Sequence, residues 1–325
     1  MLSDKTILVL GDVMLDQWVH TKFQGISQET DVSINKVVTS YFELGGAGNA
    51  ARICKYLTGA RILLIGVVGN DPNGGTLNGF LETEGLEGIF FIDSKRQTTS
   101  KTRIYIDTKP LVRVDDETDK EISEDLEKEI IRKVKDLSSQ LDGILLSDYG
   151  KGFLTKRLIN EIVKIGKEKK IPIVADPAKN RVYDFKGCDI IKPNQFEWHT
   201  FIESAGQSQQ DWNSVLDCPL IVVTKSEQGM DYYENGVLKS LPGIKVAKVD
   251  ITGAGDSAAA VLISGFLSGK STEKLINLTN KIASKFVTLD RTEFPSSIVQ
   301  AAFQQALKDQ LNVFVERVDV QEPDY

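Results

Sequence analysis

The stretch GILLSDYGKGFLTKRLINEIVKIGKEKKIPIVA, residues 143–175, decides the fold. It has a short apolar run at each end, Gly143–Ser147 and Ile171–Ala175, and each run predicts a buried strand. Between them, Thr155–Lys169 repeats its apolar residues at helical spacing, which predicts an amphipathic helix. Two strands that are joined by a helix lie parallel to each other, because the crossover returns the chain to the same end of the sheet. The stretch therefore predicts a β-α-β unit.

The same alternation of apolar runs and amphipathic stretches extends along most of the chain. The other predicted strands are Thr6–Leu10, Ile62–Val67, Ile190–Ile191 and Leu220–Thr224, and the other helices are Asn49–Leu57, Gly75–Glu84, Glu121–Gln140 and Ser257–Ser268. This order predicts an α/β fold with a mostly parallel central sheet and helices on both faces. Ligands of such folds bind beyond the carboxyl ends of the strands, so the loops that follow the strands are where we expect a site.

Two regions lack intervening helices and alternate apolar with polar residues, at about 17–40 and 98–115. They predict a small antiparallel sheet that projects as a lid. Near the other end, Asn235-Gly236 predicts a tight hairpin between Tyr232 and Leu238. Residues 296–310 are predicted to form a helix. We expect one domain over residues 1–312 and a C-terminal tail over residues 313–325.

Composition narrows the class of protein. The 325 residues are 41% hydrophobic and 26% charged, as in ordinary globular proteins, and no apolar run is long enough to cross a bilayer. The net charge of −7 disfavours nucleic acid as a partner. Three widely spaced cysteines form no disulfide framework or zinc motif, and the first strand follows the N-terminus with no signal peptide between them. We expect a reduced, cytoplasmic protein with no membrane partner.

The sharpest motif is Asp250-Ile-Thr-Gly-Ala-Gly-Asp256, which precedes an apolar helix. The free amides of Gly253, Ala254 and Gly255 at a helix N-terminus would form an anion hole. A carboxylate at Asp256 beside that hole suits phosphoryl transfer, in which the acid takes a hydroxyl proton while the amides hold the phosphate. The local residues support equally an Asp256 that only caps the helix and glycines that only make a turn.

Three further motifs are rich in glycine or polar residues, and each also has a purely structural interpretation. Glycines before a helix often serve packing alone. Two carboxylates after the first strand can hold sugar hydroxyls or a metal, or form an Asx-turn beside a surface acid. Polar groups after a buried strand can orient hydrated magnesium, or cap the next helix. The motifs are Gly45-Gly46-Ala-Gly-Asn49, Gly11-Asp12-Val-Met-Leu-Asp16 and Asn194-Gln-Phe-Glu197.

Taken in order, these motifs resemble the ribokinase-like (PfkB) family of carbohydrate kinases, over about residues 5–300. The resemblance implies a three-layer ribokinase-like fold with a β-sheet lid over the sugar. It implies ATP with Mg²⁺ as the phosphoryl source, Asp256 as the base and a homodimer formed through the lid, and it leaves a monovalent cation open. Two other classes fit the sequence less well: a non-catalytic sugar- or nucleotide-binding regulator, which would not need the base, and an oxidoreductase, which lacks its glycine fingerprint here.

Within the family, several stretches are similar to the kinase domain that phosphorylates the anomeric hydroxyl of D-glycero-β-D-manno-heptose 7-phosphate in ADP-heptose synthesis. They are Gly11–Asp16, Leu146–Gly152, Asp176–Lys179 and Val223–Met230. Two stretches depart from that pattern: Ser27–Ser33 in the lid, and Arg291-Thr292 where the family has Gly-Thr. These departures leave another sugar or sugar phosphate open as the substrate.

The resemblance assigns a role to each matching residue. A phosphorylated sugar also needs cations at its far end, and the basic side chains that could supply them have surface charge as their alternative interpretation. The expected sugar contacts are Asp12, Asp16, Gly45, Gly46, Asn49 and Asp148, and the expected phosphate clamp is Lys101, Arg103, Arg113, Lys151 and Lys179. The expected nucleotide contacts are Asn194, Thr224, Ser226, Gly229, Thr252, Gly253, Gly255 and Asn280, with Glu197 holding magnesium through water.

Overall fold

A nine-stranded sheet forms the centre of the molecule, in a computed structural model that describes residues 2–206, 211–247 and 251–288. Its strands are β1 (Thr6–Gly11), β4 (Arg61–Val68), β5 (Glu87–Ile92), β8 (Gly143–Ser147), β9 (Ile173–Asp176), β10 (Ile190–Ile191), β11 (Leu220–Thr224), β12 (Gly229–Glu234) and β13 (Val237–Pro242). They lie in the order β13-β12-β11-β10-β9-β8-β1-β4-β5, and all neighbouring pairs are parallel except β11–β12 and β12–β13, because β12 runs in the opposite direction. The predicted hairpin is confirmed, with Asn235 and Gly236 both at positive φ.

Helices cover both faces of this sheet, because alternate residues of each strand point to opposite sides. Val9 of β1 belongs to one apolar core and Leu8 to the other. The first core is completed by α1 (Ala47–Thr58), α2 (Pro72–Thr83), α7 (Ala254–Leu267) and α8 (Thr272–Phe286), and the second by α3 (Glu124–Leu137), α4 (Lys156–Lys169), α5 (Gln195–Ala205) and α6 (Trp212–Leu216). The predicted α/β fold and the β8-α4-β9 unit are both confirmed.

A second sheet of four strands forms the lid, in the order β3-β2-β6-β7. Its strands are β2 (Val13–Ile26), β3 (Ser33–Gly46), β6 (Ser100–Ile106) and β7 (Lys109–Asp116). The prediction of an antiparallel lid is wrong in one pairing, because β2 and β6 are parallel. Both strands leave the carboxyl edge of the main sheet, β2 directly after β1 and β6 after β5, so they run outward in the same direction.

Several predictions lie outside the described residues: Asp250, Arg291-Thr292, the helix over 296–310, and the tail with its boundary at residue 312. Among the helices that the structure describes, none is long and apolar enough to cross a membrane.

Candidate active site

Asp256 lies in the first turn of α7, at the carboxyl edge of the main sheet. Gly253, at φ 77°, is the N-cap of this helix, and Thr252 precedes it. Asp256 is buried, and its two carboxylate oxygens accept from side chains: Oδ2 from Asn49 Nδ2 at 2.7 Å, and Oδ1 from the hydroxyl of Tyr149. Two donors thus hold the carboxylate in the site, and it does not cap α7.

Burial raises the pKa of Asp256, and the nearby charge of Asp16 adds to that effect. The hydrogen bonds from Tyr149 and Asn49 and the charge of Lys192 act against it. A carboxylate with a raised pKa is a stronger proton acceptor, provided that it is ionised at the working pH. This is the electrostatic setting expected of a general base.

Lys192 places a buried ammonium group beside the N-terminus of α7. Its Nζ lies 2.8 Å from Oδ1 of Asp176, at the end of β9, and the side chain is 3% exposed. Burial lowers the pKa of Lys192, but the charge and hydrogen bond of Asp176 together with the charges of Glu197 and Asp256 outweigh that effect, so the pKa is raised and the amine stays protonated. A Cβ atom on Gly255 would lie 3.8 Å from this Nζ, with nothing closer than that. Oδ2 of Asp176 would lie 4.0 Å from the same Cβ, so the helix N-terminus, the ammonium group and this carboxylate border one open space.

Asp16, Gly45 and Gly46 lie at the base of the lid, where β2 leaves the main sheet and β3 returns to it. Asp16, on β2, pairs with Arg103 of β6 at 2.7 Å, and Arg103 lies over the ring of Trp18 at 4.9 Å. A Cβ on Gly45 would approach Oδ2 of Asp16 to 2.6 Å, and Gly46 adopts φ 56°. Gly45 and Gly46 therefore serve the close approach of β3 to β2, in agreement with the packing interpretation.

Asp12 and Asp148 are buried carboxylates that shape the loop after β8. Asp12 accepts from three backbone amides: those of Tyr149 at 2.8 Å, Lys151 at 3.1 Å and Phe153 at 3.3 Å. Asp148 pairs with Arg181 at 2.8 Å, and burial together with the charge of Asp12 raises its pKa to about 7. Both carboxylates thus hold protein groups, and the contacts with sugar expected of them stay predictions.

Three of the five basic residues predicted to clamp a phosphate come together at the junction of lid and core. Lys101 and Lys151 both contact Glu117, at 2.9 and 2.6 Å, while Lys101 and Arg113 share Asp115 at 3.1 and 2.9 Å. This network, which we call the junction cluster, comprises three cations and two carboxylates. The sequence prediction included the cations and missed the acids.

The other two basic residues lie elsewhere. Arg103 is committed to Asp16 and Trp18, as described above. Lys179 has its Nζ 5.6 Å from the ring centre of Phe196, on α5, and its charge acts on Glu197. Lys179 is therefore a neighbour of the Asn194–Glu197 motif, away from the junction cluster.

Asn194 and Glu197 form a capping box at the start of α5. Oδ1 of Asn194 accepts from the amide of Glu197 at 2.9 Å, and Oε2 of Glu197 accepts from the amide of Asn194 at 2.7 Å. The helix-capping interpretation of this motif is therefore present in the structure. It does not exclude a second role, because each oxygen of Glu197 has more than one lone pair. Burial raises the pKa of Glu197.

Five of the residues predicted to line the nucleotide lie around the ends of β11 and β13, while Thr252, Gly253 and Gly255 lie at the start of α7. Thr224 ends β11, opposite Asn194, and Ser226 lies in the turn that follows. Gly229 adopts φ 95°, and a side chain there would overlap the carbonyl oxygen of Leu241. Asn280 of α8 donates to the carbonyl of Pro242 at 2.9 Å, so it fixes the end of β13.

Sequence reasoning missed four residues that contact this site: Tyr149, Asp176, Lys192 and Arg52. The first three lie within motifs noticed for other residues, and a polar residue directly after a predicted strand was the available signal. Arg52 gave no signal, since it is one basic residue on a predicted helix.

Comparison with known proteins agrees with this geometry. Residues 4–298 match the family described as pfkB family carbohydrate kinase. A protein of Bradyrhizobium sp. (strain ORS 278) named bifunctional protein HldE is 30% identical over 302 residues, 90% of this chain and 61% of its own length. Its namesake in a Nitratiruptor species is 32% identical over 93% of this chain and 68% of its own length. The chain thus spans about 60% of the length of the first curated relatives it matches.

Solved structures share the fold. Phosphofructokinase-2 from Escherichia coli, in a tetrameric inhibited form, superposes with a TM-score of 0.71 at 16% identity, over 94% of this chain and 99% of that one. Ribokinase from Giardia lamblia superposes with a TM-score of 0.68 at 16% identity, over 96% of this chain and 99% of that one. At this level of identity the likeness establishes a ribokinase-like fold.

Proposed function

The chain belongs to the pfkB family of carbohydrate kinases, and we propose that within this family it transfers the γ-phosphate of ATP to the anomeric hydroxyl of D-glycero-β-D-manno-heptose 7-phosphate. Membership makes it a phosphotransferase with an alcohol group as acceptor, and implies a sugar and ATP as substrates. The observation that carries the proposal is the pairing of Asp256 with a separate cationic cluster: one site for the hydroxyl, another for a phosphate already on the sugar. The resemblance to heptose 7-phosphate kinases and the relatives named HldE support this choice of sugar.

Asp256 takes the proton of the acceptor hydroxyl as the oxygen attacks phosphorus. The amides at the start of α7 and the ammonium group of Lys192 stabilise the charge that collects on the transferring phosphoryl oxygens. Asp16 accepts hydrogen bonds from the sugar, with its carboxylate held in place by Arg103. Phosphoryl transfer needs positioning and charge neutralisation more than covalent chemistry, and these residues supply both.

Magnesium fits the Asn194–Glu197 motif only through water. No group of three or more acidic, histidine or cysteine side chains that could hold a metal occurs in the described ranges. Mg²⁺ commonly keeps several waters and needs few direct protein ligands when phosphates supply the rest. Glu197 would orient such waters, and the ion would neutralise charge on the phosphates of ATP.

The second phosphate of the substrate would lie at the junction cluster. Lys101, Arg113 and Lys151 carry one more charge than Asp115 and Glu117 balance, so the cluster has a net positive charge in which a phosphate can replace a carboxylate as partner. Because Lys101 and Arg113 belong to the lid and Lys151 to the core, a phosphate bound there would also hold the lid closed and exclude water.

The lid also supports a homodimer as the functional form. The face opposite Asp16 carries Phe42, Val112 and Val114, which are 39%, 47% and 54% exposed. Exposed apolar side chains on one face of a sheet are typical of protein interfaces. We propose that a second copy of the lid covers this face.

The proposed reaction is tested by ADP release with Mg-ATP against six acceptors: D-glycero-β-D-manno-heptose 7-phosphate, sedoheptulose 7-phosphate, fructose 6-phosphate, fructose 1-phosphate, ribose and adenosine. Preference for the heptose phosphate supports the proposal. Preference for another acceptor keeps the kinase mechanism and contradicts the sugar. ATP binding without turnover of any acceptor favours a binding protein on the same fold.

A further inference from the structure

Arg52 is a buried arginine on α1, one helical turn after Asn49. The whole residue is 4% exposed, and its Nη2 donates to Oδ1 of Asn49 at 2.8 Å. The amide nitrogen of Asn49 in turn donates to Oδ2 of Asp256 at 2.7 Å. A continuous line of hydrogen bonds therefore runs from the guanidinium group through one amide to the proposed base.

The donor and acceptor inventory of the three groups fixes the orientation of the Asn49 amide. A guanidinium group can only donate, so the atom of Asn49 that faces it must be the carbonyl oxygen. The NH₂ group must then face Asp256. A flipped amide would set NH₂ against the guanidinium group, and its oxygen against the carboxylate.

The amide is also confined in space. A Cβ atom on Gly253, the N-cap of α7, would lie 2.6 Å from the Asn49 nitrogen. The Asn49 side chain is therefore confined between Arg52 and the start of α7. The motion that remains to it is a flip of the amide group about its last side-chain bond. Arg52 prevents that flip.

We propose that Arg52 is a positioning residue of the kinase reaction. By fixing the orientation of the Asn49 amide, Arg52 keeps a hydrogen-bond donor on Asp256, and so keeps that carboxylate ionised and directed at the acceptor hydroxyl. This inference rests on the proposed role of Asp256 as the base. Without this restraint, a protonated Asp256 could donate to a flipped Asn49 carbonyl, and that arrangement would stabilise the acid form, which cannot accept a proton.

A second contact of Arg52, with Glu84, is longer. Nη1 lies 3.8 Å from Oε1 of Glu84, whose other oxygen accepts from the hydroxyl of Tyr56 at 2.6 Å. Burying a guanidinium group costs several kcal/mol, so its contacts must offset a large desolvation penalty. Of these two contacts, the one with Asn49 is the shorter, and Asn49 is the residue that donates to the proposed base Asp256.

The charges that face Asp256 from other elements stay in place when Arg52 is changed. They belong to Lys192, Asp16 and Asp176. Two neutral titratable groups also face Asp256: the hydroxyl of Tyr149, which donates to it, and the thiol of Cys54 on α1, whose pKa is raised by burial and by the charge of Asp256. A change in the titration of Asp256 in an Arg52 variant can therefore arise from two sources, the lost charge of Arg52 itself and the released amide of Asn49, and the double-mutant cycle below separates them.

The test compares Arg52→Met with Arg52→Lys, which keeps a donor for the Asn49 oxygen, and with Glu84→Gln, which removes the charge of the ion-pair partner alone. The pH profile of kcat/KM is measured with Mg-ATP and the acceptor that the wild type prefers. Arg52→Met should lower kcat about tenfold or more, leave the KM for ATP nearly unchanged, and move the acid limb of the profile upward by about half a pH unit or more. Arg52→Lys should keep kcat and the position of the acid limb close to their wild-type values. Glu84→Gln should leave the acid limb in place.

A double-mutant cycle with Asn49→Ala separates this role from a structural one. In the Asn49→Ala background, Arg52→Met should add no further shift of the acid limb, because the relay is already broken. If Arg52→Met lowers kcat only as far as it lowers thermal stability, with the acid limb unmoved, the inference is overturned. If Arg52→Met does not fold, Arg52→Gln and Arg52→Lys carry the comparison. An Asp256→Asn variant with near-normal turnover would reject the base assignment itself and this inference with it, whereas an inactive Asp256→Asn beside an unshifted Arg52→Met rejects only the latter.

Discussion

The hydroxyl of Tyr149 donates to Oδ1 of Asp256, and so takes the position from which an acceptor hydroxyl would give up its proton. The tyrosine is brought there by Asp12, which accepts a hydrogen bond from its backbone amide. A sugar that binds productively must therefore share Oδ1 with this hydroxyl or displace it. With Asp256 as the proposed base, we expect the Tyr149 hydroxyl to occupy, in the absence of sugar, a place that water could otherwise take.

Replacement of Tyr149 by Phe should raise ATP hydrolysis in the absence of sugar several-fold, because water then gains access to Oδ1 of Asp256. ADP release without acceptor, divided by ADP release with acceptor, is the measurement. Tyr183→Phe, which changes a tyrosine that is half exposed, is the matched control. An unchanged ratio in Tyr149→Phe would contradict this role of the hydroxyl.

Replacement of Asp256 by Asn should lower kcat by about 10²–10⁴-fold, since general base catalysis contributes on that scale. Binding of ATP and sugar, followed by calorimetry, should remain close to wild type because the amide keeps the size of the carboxylate. Asp125→Asn, at a side chain that is 97% exposed, should have wild-type kinetics. Turnover of Asp256→Asn near the wild-type rate would contradict the base assignment.

The junction cluster predicts opposite effects for its cations and its acids. Lys151→Ala should raise the KM for a phosphorylated sugar about tenfold, in keeping with the strength of charge-assisted contacts. The KM for the unphosphorylated analogue should stay nearly unchanged. Glu117→Gln, which removes a carboxylate that competes with the phosphate, should lower the KM for the phosphorylated sugar. Equal losses for both sugars in Lys151→Ala would place the phosphate elsewhere.

Asp148 predicts a specific pH dependence of stability. Its pKa of about 7 in the folded protein exceeds the ordinary value of 3.8, so between these pH values the folded state holds a proton that the unfolded chain has released. The contribution of Asp148 is therefore fully present below about pH 4 and is lost as the pH rises to 7, with a slope of at most about 1.4 kcal/mol per pH unit. Relative to Asp148→Asn, the free energy of unfolding of the wild type should fall over this range in urea titrations. A constant difference would show that Asp148 is ionised throughout.

The outward face of the lid predicts the state of assembly. Val112→Lys together with Val114→Lys should convert a dimer into a monomer, because two charges per copy would then face an apolar surface. Sedimentation equilibrium gives the mass directly. The same double change made at Val237 and Leu238, two exposed apolar residues of the β12–β13 hairpin, should leave the mass unchanged. A wild-type protein that sediments as a monomer would contradict the dimer at once.

Most of the core was predictable because its strands are uninterrupted apolar runs. β8, β10 and β11 begin and end where the sequence placed them, β1 is longer by one residue at its end, and β4 is longer by one residue at each end. Elements at the margins were missed: β5 is half-buried along its length, and α5 begins in a motif noticed for its polar groups. In such segments the apolar periodicity is weak, so tertiary packing decides the structure.

In the candidate site, sequence order was enough to select Asp256 as the proposed base, but it was insufficient to assign the partners of that side chain. Asp256 and Asn49 were both selected, yet their direct contact joins residues 207 positions apart in the chain. Lys101 was expected to meet a phosphate, and in the structure it meets Asp115 and Glu117. Pairings of this kind depend on the register between β6 and β7 and on the loop after β8, which no local pattern encodes.

Glu117 contacts Lys101 of the lid with one oxygen and Lys151 of the core with the other. A single carboxylate thus acts as a latch between two bodies that otherwise meet along the stems of β2, β3 and β6. Its partners are only partly buried, so dissolved ions compete for them, and the latch loosens as ionic strength rises and the Debye length shortens. We therefore expect the attachment of the lid to the core to weaken as the salt content of the surroundings rises.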